Sequence, residues 1–163
     1  MTYKTHIKVA DPANVSLLSC LIRDSFRDVA ERFGLTPENC AKHPSNCTEE
    51  WIQNDLDRGV TYYVLDLNGT PVGCVALEKA NPDFCYLERL AVLPAERQKG
   101  LGKALVDYVF LQARDLDVKE ISIGIISEQT ELKLWYQKIG FVEGETKEFA
   151  HLPFLVTFMT YEL

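Results

Sequence analysis

No stretch of this sequence approaches the roughly 20 consecutive apolar residues that a membrane-spanning helix requires. Its opening residues, MTYKTHIKVADPAN, also lack the apolar centre of a secretory signal. The expectation is a soluble, cytoplasmic protein. A basic run is missing as well: Lys and Arg number 17 against 24 Asp and Glu, for a formal charge of -7. Gripping nucleic acid means neutralising phosphates with clustered cations, so that partner class is excluded, whereas a cationic small molecule is tolerated.

Regularly paired cysteines are absent too. Cys20, Cys40, Cys47, Cys74 and Cys85 are odd in number and unevenly spaced, unlike the disulfide framework of a small secreted domain. Repeats, low-complexity tracts and linker-like segments do not occur either. Residues 1–163 therefore read as a single domain, with 47% hydrophobic residues to fill a core.

What the sequence does contain is an ordered change of hydrophobic period. Thr5, Ile7 and Val9 alternate with His6 and Lys8 as in a half-buried strand, and Asp11-Pro12 then opens a helix. Val15, Leu18, Ile22, Val29 and Phe33 recur at helical spacing until Gly34, a residue suited to a left-handed C-terminal cap. Thr48 offers the next N-cap, with Glu49 and Glu50 in the first turn and Trp51, Ile52 and Leu56 on the apolar side. From Val60, VTYYVLDLNGTPVGCVALEKA holds two strand runs around Asn68-Gly69, a dipeptide that favours a two-residue hairpin turn; FCYLERLAVLP follows as a third strand. A helix is expected from Gly100 to Asp115, with Leu101, Ala104, Leu105, Tyr108, Leu111 and Leu116 on one face, and then an apolar strand, EISIGIIS, at 120–127. Leu132, Trp135 and Ile139 mark a last helix that stops at Gly140, and FVEGETKEF and PFLVTFMTYEL suggest two final strands. The order β-α-α-β-β-β-α-β-α-β-β predicts an α+β fold on a mixed sheet.

The densest chemical signal is Arg97-Gln98-Lys99-Gly100-Leu101-Gly102-Lys103-Ala104, set between a strand and an amphipathic helix. Glycines at a helix start leave its unpaired N–H groups and positive dipole end open to an anion. Arg97, Lys99 and Lys103 add the positive charge that a pyrophosphate calls for. The spacing is neither the Walker pattern nor the longer dinucleotide fingerprint. By itself it reads equally well as a plain helix start with solvated charges.

The run R-x-x-G-x-G at 97 to 102, preceded by LERLAVLP and followed by LWYQKIGF at 134 to 141, resembles the GNAT superfamily of acetyl-CoA-dependent N-acetyltransferases. The order of strands and helices does so over essentially all 163 residues. The resemblance implies a mixed, mostly antiparallel central sheet of about seven strands flanked by four helices. It implies acetyl-CoA as cosubstrate, no metal, and direct acetyl transfer to a primary amine of a small molecule, or to a peptide N-terminus or lysine. Self-association into a homodimer stays open. By the same resemblance, main-chain groups of Leu90, Ala91 and Val92 would hold the pantetheine arm and the acetyl carbonyl. Arg97, Gln98, Lys99, Gly100, Leu101, Gly102 and Lys103 would wrap the pyrophosphate, and Tyr136 would contact the cofactor and donate a proton to the departing thiolate. The family often places an asparagine seven residues before that tyrosine; Gln129 stands there and offers a similar, longer amide. Leu132 replaces a commonly small residue and Trp135 a commonly aliphatic one.

Transfer to an amine needs the nitrogen neutral, although a lysine-like amine has a pKa of about 10.4. Glu88, in the third of the expected central strands, is the candidate acceptor of that proton or anchor of a cationic acceptor; it reads equally as a solvent-face charge. Tyr86 and His151 are further candidates, and several enzymes of the resembled family use a water chain instead. Trp51, Tyr62, Tyr63 and Phe84 are assigned to the core. The loop NCAKHPSNCT, residues 39–48, joins the first two helices, where the family shapes its acceptor pocket. Two competing readings remain at this level. One is an acyl-CoA binding or sensing domain without catalysis. The other is a metal or redox protein on Cys40, His43 and Cys47, for which zinc would want a fourth ligand such as Glu49, His6 or His151.

Overall fold

Local signals in the chain are used where the sequence places them. In the computed structural model, which describes residues 4–163, the Asp11 carboxylate caps a short 3-10 turn in a reciprocal capping box with Asn14. The first helix, α1 (Val15–Phe33), then runs until Gly34 terminates it in the left-handed region at φ 63°. The Thr48 hydroxyl accepts the Trp51 N–H at the start of α2 (Glu49–Asp57). Asn68 and Gly69, at φ 52° and 86°, form the tight turn between β2 (Thr61–Leu67) and β3 (Thr70–Lys79).

The remaining elements are β1 (Thr5–Val9), β4 (Phe84–Val92), α3 (Leu101–Asp115), β5 (Glu120–Ile126), α4 (Thr130–Ile139), β6 (Val142–Lys147) and β7 (Val156–Glu162). They build the expected α+β fold: a seven-stranded sheet in the order β1-β2-β3-β4-β5-β7-β6, flanked by four helices. Every pairing is antiparallel except β4 with β5. Side chains alternate across the sheet, so each face receives its own helices. Leu18 and Ile22 of α1 and Ile52 of α2 pack on Tyr62, Val64, Cys74 and Ala76, while Leu105, Val109 and Phe110 of α3 and Tyr136 of α4 pack on Leu65, Val75 and Leu77. No helix among the described residues is long and apolar enough to cross a membrane.

One expected face is corrected. The buried stripe of α3 is Leu101, Leu105, Val106, Val109, Phe110 and Ala113, whereas Leu111 is 59% and Leu116 41% exposed. Leu111 lies two residues beyond Val109, about 200° round the helix, and so points to solvent. Leu116 is the C-cap rather than a helical residue. The strand expected at FVEGETKEF is also shorter, Val142–Lys147, and exposed at every position.

β3 and β4 approach so closely at Gly73 that a Cβ there would lie 2.8 Å from the Ala91 carbonyl oxygen and 3.4 Å from Leu105 Cδ1. A backbone oxygen has no rotamer by which to move aside. Gly73→Ala should destabilise the fold by about 1–3 kcal/mol, measured as a lower urea midpoint at unchanged m-value.

Candidate functional site

β4 and β5 pair through Phe84↔Glu120, Cys85↔Ile121 and Tyr86↔Ser122, and then separate although both strands continue, to Val92 and Ile126. The separation begins beside a bulge. Ala76 pairs with Glu88 and Cys74 with Ala91, so Arg89 and Leu90 stand together opposite Val75. An extra residue bends the bulged strand and raises its local twist. Arg89 carries the distortion at φ 50°, a left-handed conformation that costs a non-glycine residue about 1–3 kcal/mol. Its side chain is held in return. Arg89 Nη1 donates to Asp55 Oδ2 at 2.9 Å and to the Tyr62 hydroxyl at 3.0 Å, the Tyr62 hydroxyl donates to Asp55 Oδ2 at 2.6 Å, and the guanidinium lies 4.6 Å over the Trp51 ring. Asp55 also accepts from Arg58, which reaches Glu78.

The separated strands border a cleft of about 500 Å³ that draws residues from both faces of the sheet. Tyr86 and Glu88 of β4, Ser122 and Gly124 of β5, and Val156 and Phe158 of β7 face the α1 side with Phe26, Val29 and the His43-Pro44 corner. Leu87, Ile123 and Ile125 belong to the opposite face, with Leu132 and Tyr136 of α4 and Gln129 at its N-cap. Glu88, Tyr86, Leu90, Gln129 and Tyr136 thus converge on one cavity. Ala91 and Val92 continue β4 beyond the point of separation, paired with β3 on one side and with no β5 residue on the other.

Electrostatics differ sharply along this cleft. Burial pushes the Glu88 carboxyl above its ordinary value, the nearby Glu78 adds to the rise, and Arg89, 3.9 Å away, opposes it. Burial lowers His43 to about 4, so its ring is neutral at pH 7; Nδ1 lies 2.8 Å from Ser45 Oγ and accepts the Ser45 N–H. Burial raises the Tyr136 phenol, which sits edge-on to Trp135 and Phe141 at ring separations of 5.0 and 5.2 Å and keeps its proton throughout the neutral range.

The glycine turn precedes α3 as expected, and its chemistry is mainly backbone chemistry. Gln98 and Gly100 adopt φ of 64° and 78°, and the helix ladder begins with the Ala104 N–H to the Gly100 carbonyl. The N–H groups of Leu101, Gly102 and Lys103 have no intrahelical carbonyl behind them. Gly102 supplies clearance, since a Cβ there would come within 3.2 Å of the Trp135 ring. The cations are less available than their spacing suggests. Arg97 turns back to α1, donating to Asp28 at 2.6 Å and the Ser25 carbonyl at 2.7 Å, and to the Val92 carbonyl at 3.2 Å; it holds the Asp28 carboxyl below its ordinary range. Lys99 meets Glu96 at 2.6 Å, and Lys103 meets Asp107 at 2.8 Å. The turn fits a pyrophosphate through oriented N–H groups and the helix dipole, with little net charge.

Other expectations sort differently. His151 is exposed against Phe149 and is not among the residues lining the cleft. Tyr62 and Tyr63 are buried core residues, and the aromatic walls come instead from Phe26, Phe154 and Phe158. Those three, like Arg89 and Asp55, escape sequence reasoning, because a phenylalanine at helical or strand spacing is indistinguishable from core until its neighbours are known. The Cys40, His43 and Cys47 trio is divided. Cys40 packs with Ala30, Leu35 and Ile126, Cys47 with Leu18, Ile22 and Ile52, and His43 alone of the three reaches the cleft. All five cysteines are free thiols, and burial pushes Cys47 up to about 11 and Cys74 to about 12, which makes them poor nucleophiles.

Comparison with known proteins gives the same site a context. The sequence pattern of the "Acetyltransferase (GNAT) family" matches residues 24–141. The chain is 29% identical over 118 residues to YjgM, an uncharacterised N-acetyltransferase of Escherichia coli K12, covering 71% of each chain. It is 35% identical over 80 residues to an amino-acid acetyltransferase of Mycobacterium tuberculosis, covering 49% of this chain and 43% of that one. In fold it is similar to the PaiA N-acetyltransferase of Thermoplasma acidophilum, solved in complex with coenzyme A, at a TM-score of 0.81 and 16% identity, covering 98% and 99% of the two chains.

The depressed His43 value has a consequence for stability. An unfolded histidine takes its proton near pH 6.5, whereas the folded one resists to about 4. The unfolded state therefore binds more protons in that window, and the contribution is intact above pH 6.5 and lost as pH falls toward 4. His43→Gln should flatten the decline in urea midpoint between pH 7 and 4.5 relative to the parent chain.

Proposed function

Since this chain belongs to the acetyltransferase (GNAT) family, we propose that it transfers the acetyl group of acetyl-CoA directly to a primary amine of a small molecule. The observation that carries this reading is the cleft between β4 and β5, with Glu88 on its α1 side and Tyr136 on its α4 side. Acetyl-CoA supplies the activated acetyl thioester. On the α3 side, the N–H groups of Leu101, Gly102 and Lys103 receive the pyrophosphate, and Gln129 lines the cleft beyond. The edge of β4 that β5 leaves unpaired, from Leu90 to Val92, offers main-chain groups to the pantetheine arm, since unpaired backbone groups seek a partner.

The amine enters from the α1 side. The ammonium first loses one proton to solvent; as the neutral nitrogen then forms the C–N bond its N–H becomes acidic, and Glu88 takes that second proton, a carboxylate of raised pKa being the better acceptor for such a transfer. The C–S bond breaks as the Tyr136 phenol gives its hydrogen to the departing sulfur. Holding both reactants in one cleft supplies several kcal/mol of the barrier by orientation alone. The cleft size, within the range of about 300–1,000 Å³ typical of small-ligand sites, supports a small-molecule acceptor over a protein segment.

Tyr136→Phe and Glu88→Gln are expected to lower kcat by about 100-fold each, with KM for acetyl-CoA nearly unchanged, in a continuous assay of thiol release. Protonation silences a general base, so kcat should fall as pH drops through the raised Glu88 value, and Glu88→Gln should lose that acid limb. Parental rates in both variants would remove these two residues from the mechanism.

A further inference from the structure

The α1-side half of the cleft carries information about the acceptor beyond its amine. Among the described residues, Glu88 and Arg89 are the charged residues that line the cleft, and His43 is a titratable one. Arg89 is turned toward α2: its Nη1 serves Asp55 and Tyr62, its face covers Trp51, and its Nε is buried without a hydrogen-bond partner. Asp55 and Glu78 are in turn paired with Arg58. His43 is neutral at pH 7 and its Nδ1 is taken by Ser45. Within this group two guanidiniums, Arg58 and Arg89, face three carboxylates, Asp55, Glu78 and Glu88, so one negative charge is in excess; Glu88 is the 31% exposed member and has only a long 3.9 Å pairing with Arg89.

The walls around that single carboxylate are apolar. Phe26, Val29, Tyr86, Phe154 and Phe158 line the same cleft, and several of these rings contact a further ring. Phe26 lies edge-on to His43 at 5.9 Å, Tyr86 to Phe84 at 5.3 Å and Phe158 to Phe149 at 6.2 Å. Gly124 keeps the floor low, since a Cβ there would lie 3.3 Å from Val156 and 3.5 Å from the Phe158 ring.

We propose, resting on the acetyl-transfer reading above, that the acceptor is a monoamine on an apolar, aromatic-sized body, with neither a carboxylate nor a second cation beside its amine. Its ammonium is matched by Glu88 and its body by the rings of Phe26, Tyr86 and Phe158. A polyamine brings a second charge into a ring-lined space that offers no second carboxylate, and an unpaired charge is expensive to bury. An amino acid brings a carboxylate to face Glu88, while the charge of the nearest guanidinium is already matched by Asp55 through Nη1.

The test compares phenethylamine, phenylalanine, spermidine and ethylamine as acceptors with acetyl-CoA and the full chain, reading thiol release. Phenylalanine differs from phenethylamine by the carboxylate alone. The expected result is a kcat/KM for phenethylamine at least about 100-fold above that for phenylalanine or spermidine, the scale set by an uncompensated buried charge. Phe158→Ala should also shrink the ratio of phenethylamine to ethylamine by about 10-fold, as loss of a ring contact predicts. Preference for phenylalanine or spermidine, or an unchanged ratio in the variant, overturns the acceptor class and leaves acetyl transfer standing. Binding of acetyl-CoA by calorimetry with no turnover of any of the four amines overturns the acetyl-transfer reading itself.

Discussion

The site exists because one residue in the middle of the sheet is held in a backbone conformation that it would not choose. Arg89 sits in the left-handed region inside β4, and the interaction that keeps it there is its pairing with Asp55, a carboxylate 4% exposed and shared with Tyr62 and Arg58. A buried pair of this kind is worth little against apolar side chains of the same shape, yet removing one partner leaves an uncompensated charge in the core. Its value here is geometric. The bulge turns β4 away from β5 after three paired residues, and the gap between the strands becomes the cleft.

Burial, with the same ionic group as a lesser influence, tunes the cavity that the bulge helps to open. Glu88 is the residue before the bulge, drawn into the cleft with Glu78 and Asp55 raising its pKa and Arg89 and Arg58 lowering it, burial being the largest cause. On the far side Tyr136 is held protonated by burial alone. A carboxyl group and a phenol thus reach one cleft from opposite faces of a sheet that would be closed if β4 and β5 remained paired. At the head of α3 the logic is different. There each cation has a carboxylate partner, Arg97 also ties α1 to the end of β4, and the attraction for an anion falls to N–H groups that the helix cannot satisfy itself.

Much of the fold is legible in the chain because its elements are announced by local rules. Thr48 and Gly34 act as caps, Asn68-Gly69 as a turn, and the change from period 3.6 to period 2 at Val60 marks where helix gives way to strand. Those signals involve neighbours within a few residues, which a single sequence displays in full. Legibility weakens where a residue's role depends on contacts far along the chain. Leu111 has the composition of a core residue and lies at the surface, because only the sheet beneath α3 selects which part of that helix is buried. Arg97 reads as a phosphate ligand from its spacing to Gly100, and its guanidinium turns to residues 69 and 72 positions earlier.

The sequence by itself therefore determined the order of elements, the glycine turn at the head of α3, and the family to which the chain belongs. Those follow from short-range patterns of hydrophobicity, capping and glycine placement. Only the tertiary structure decided which side chains share the cleft. It brought Phe26, His43 and Phe158 into one cleft with Glu88, sent Cys40 and Cys47 into separate parts of the core, and opened β4 from β5. The physical reason is that a cavity is defined by groups distant in sequence, and its charge by which of them are already paired, neither of which a local pattern records.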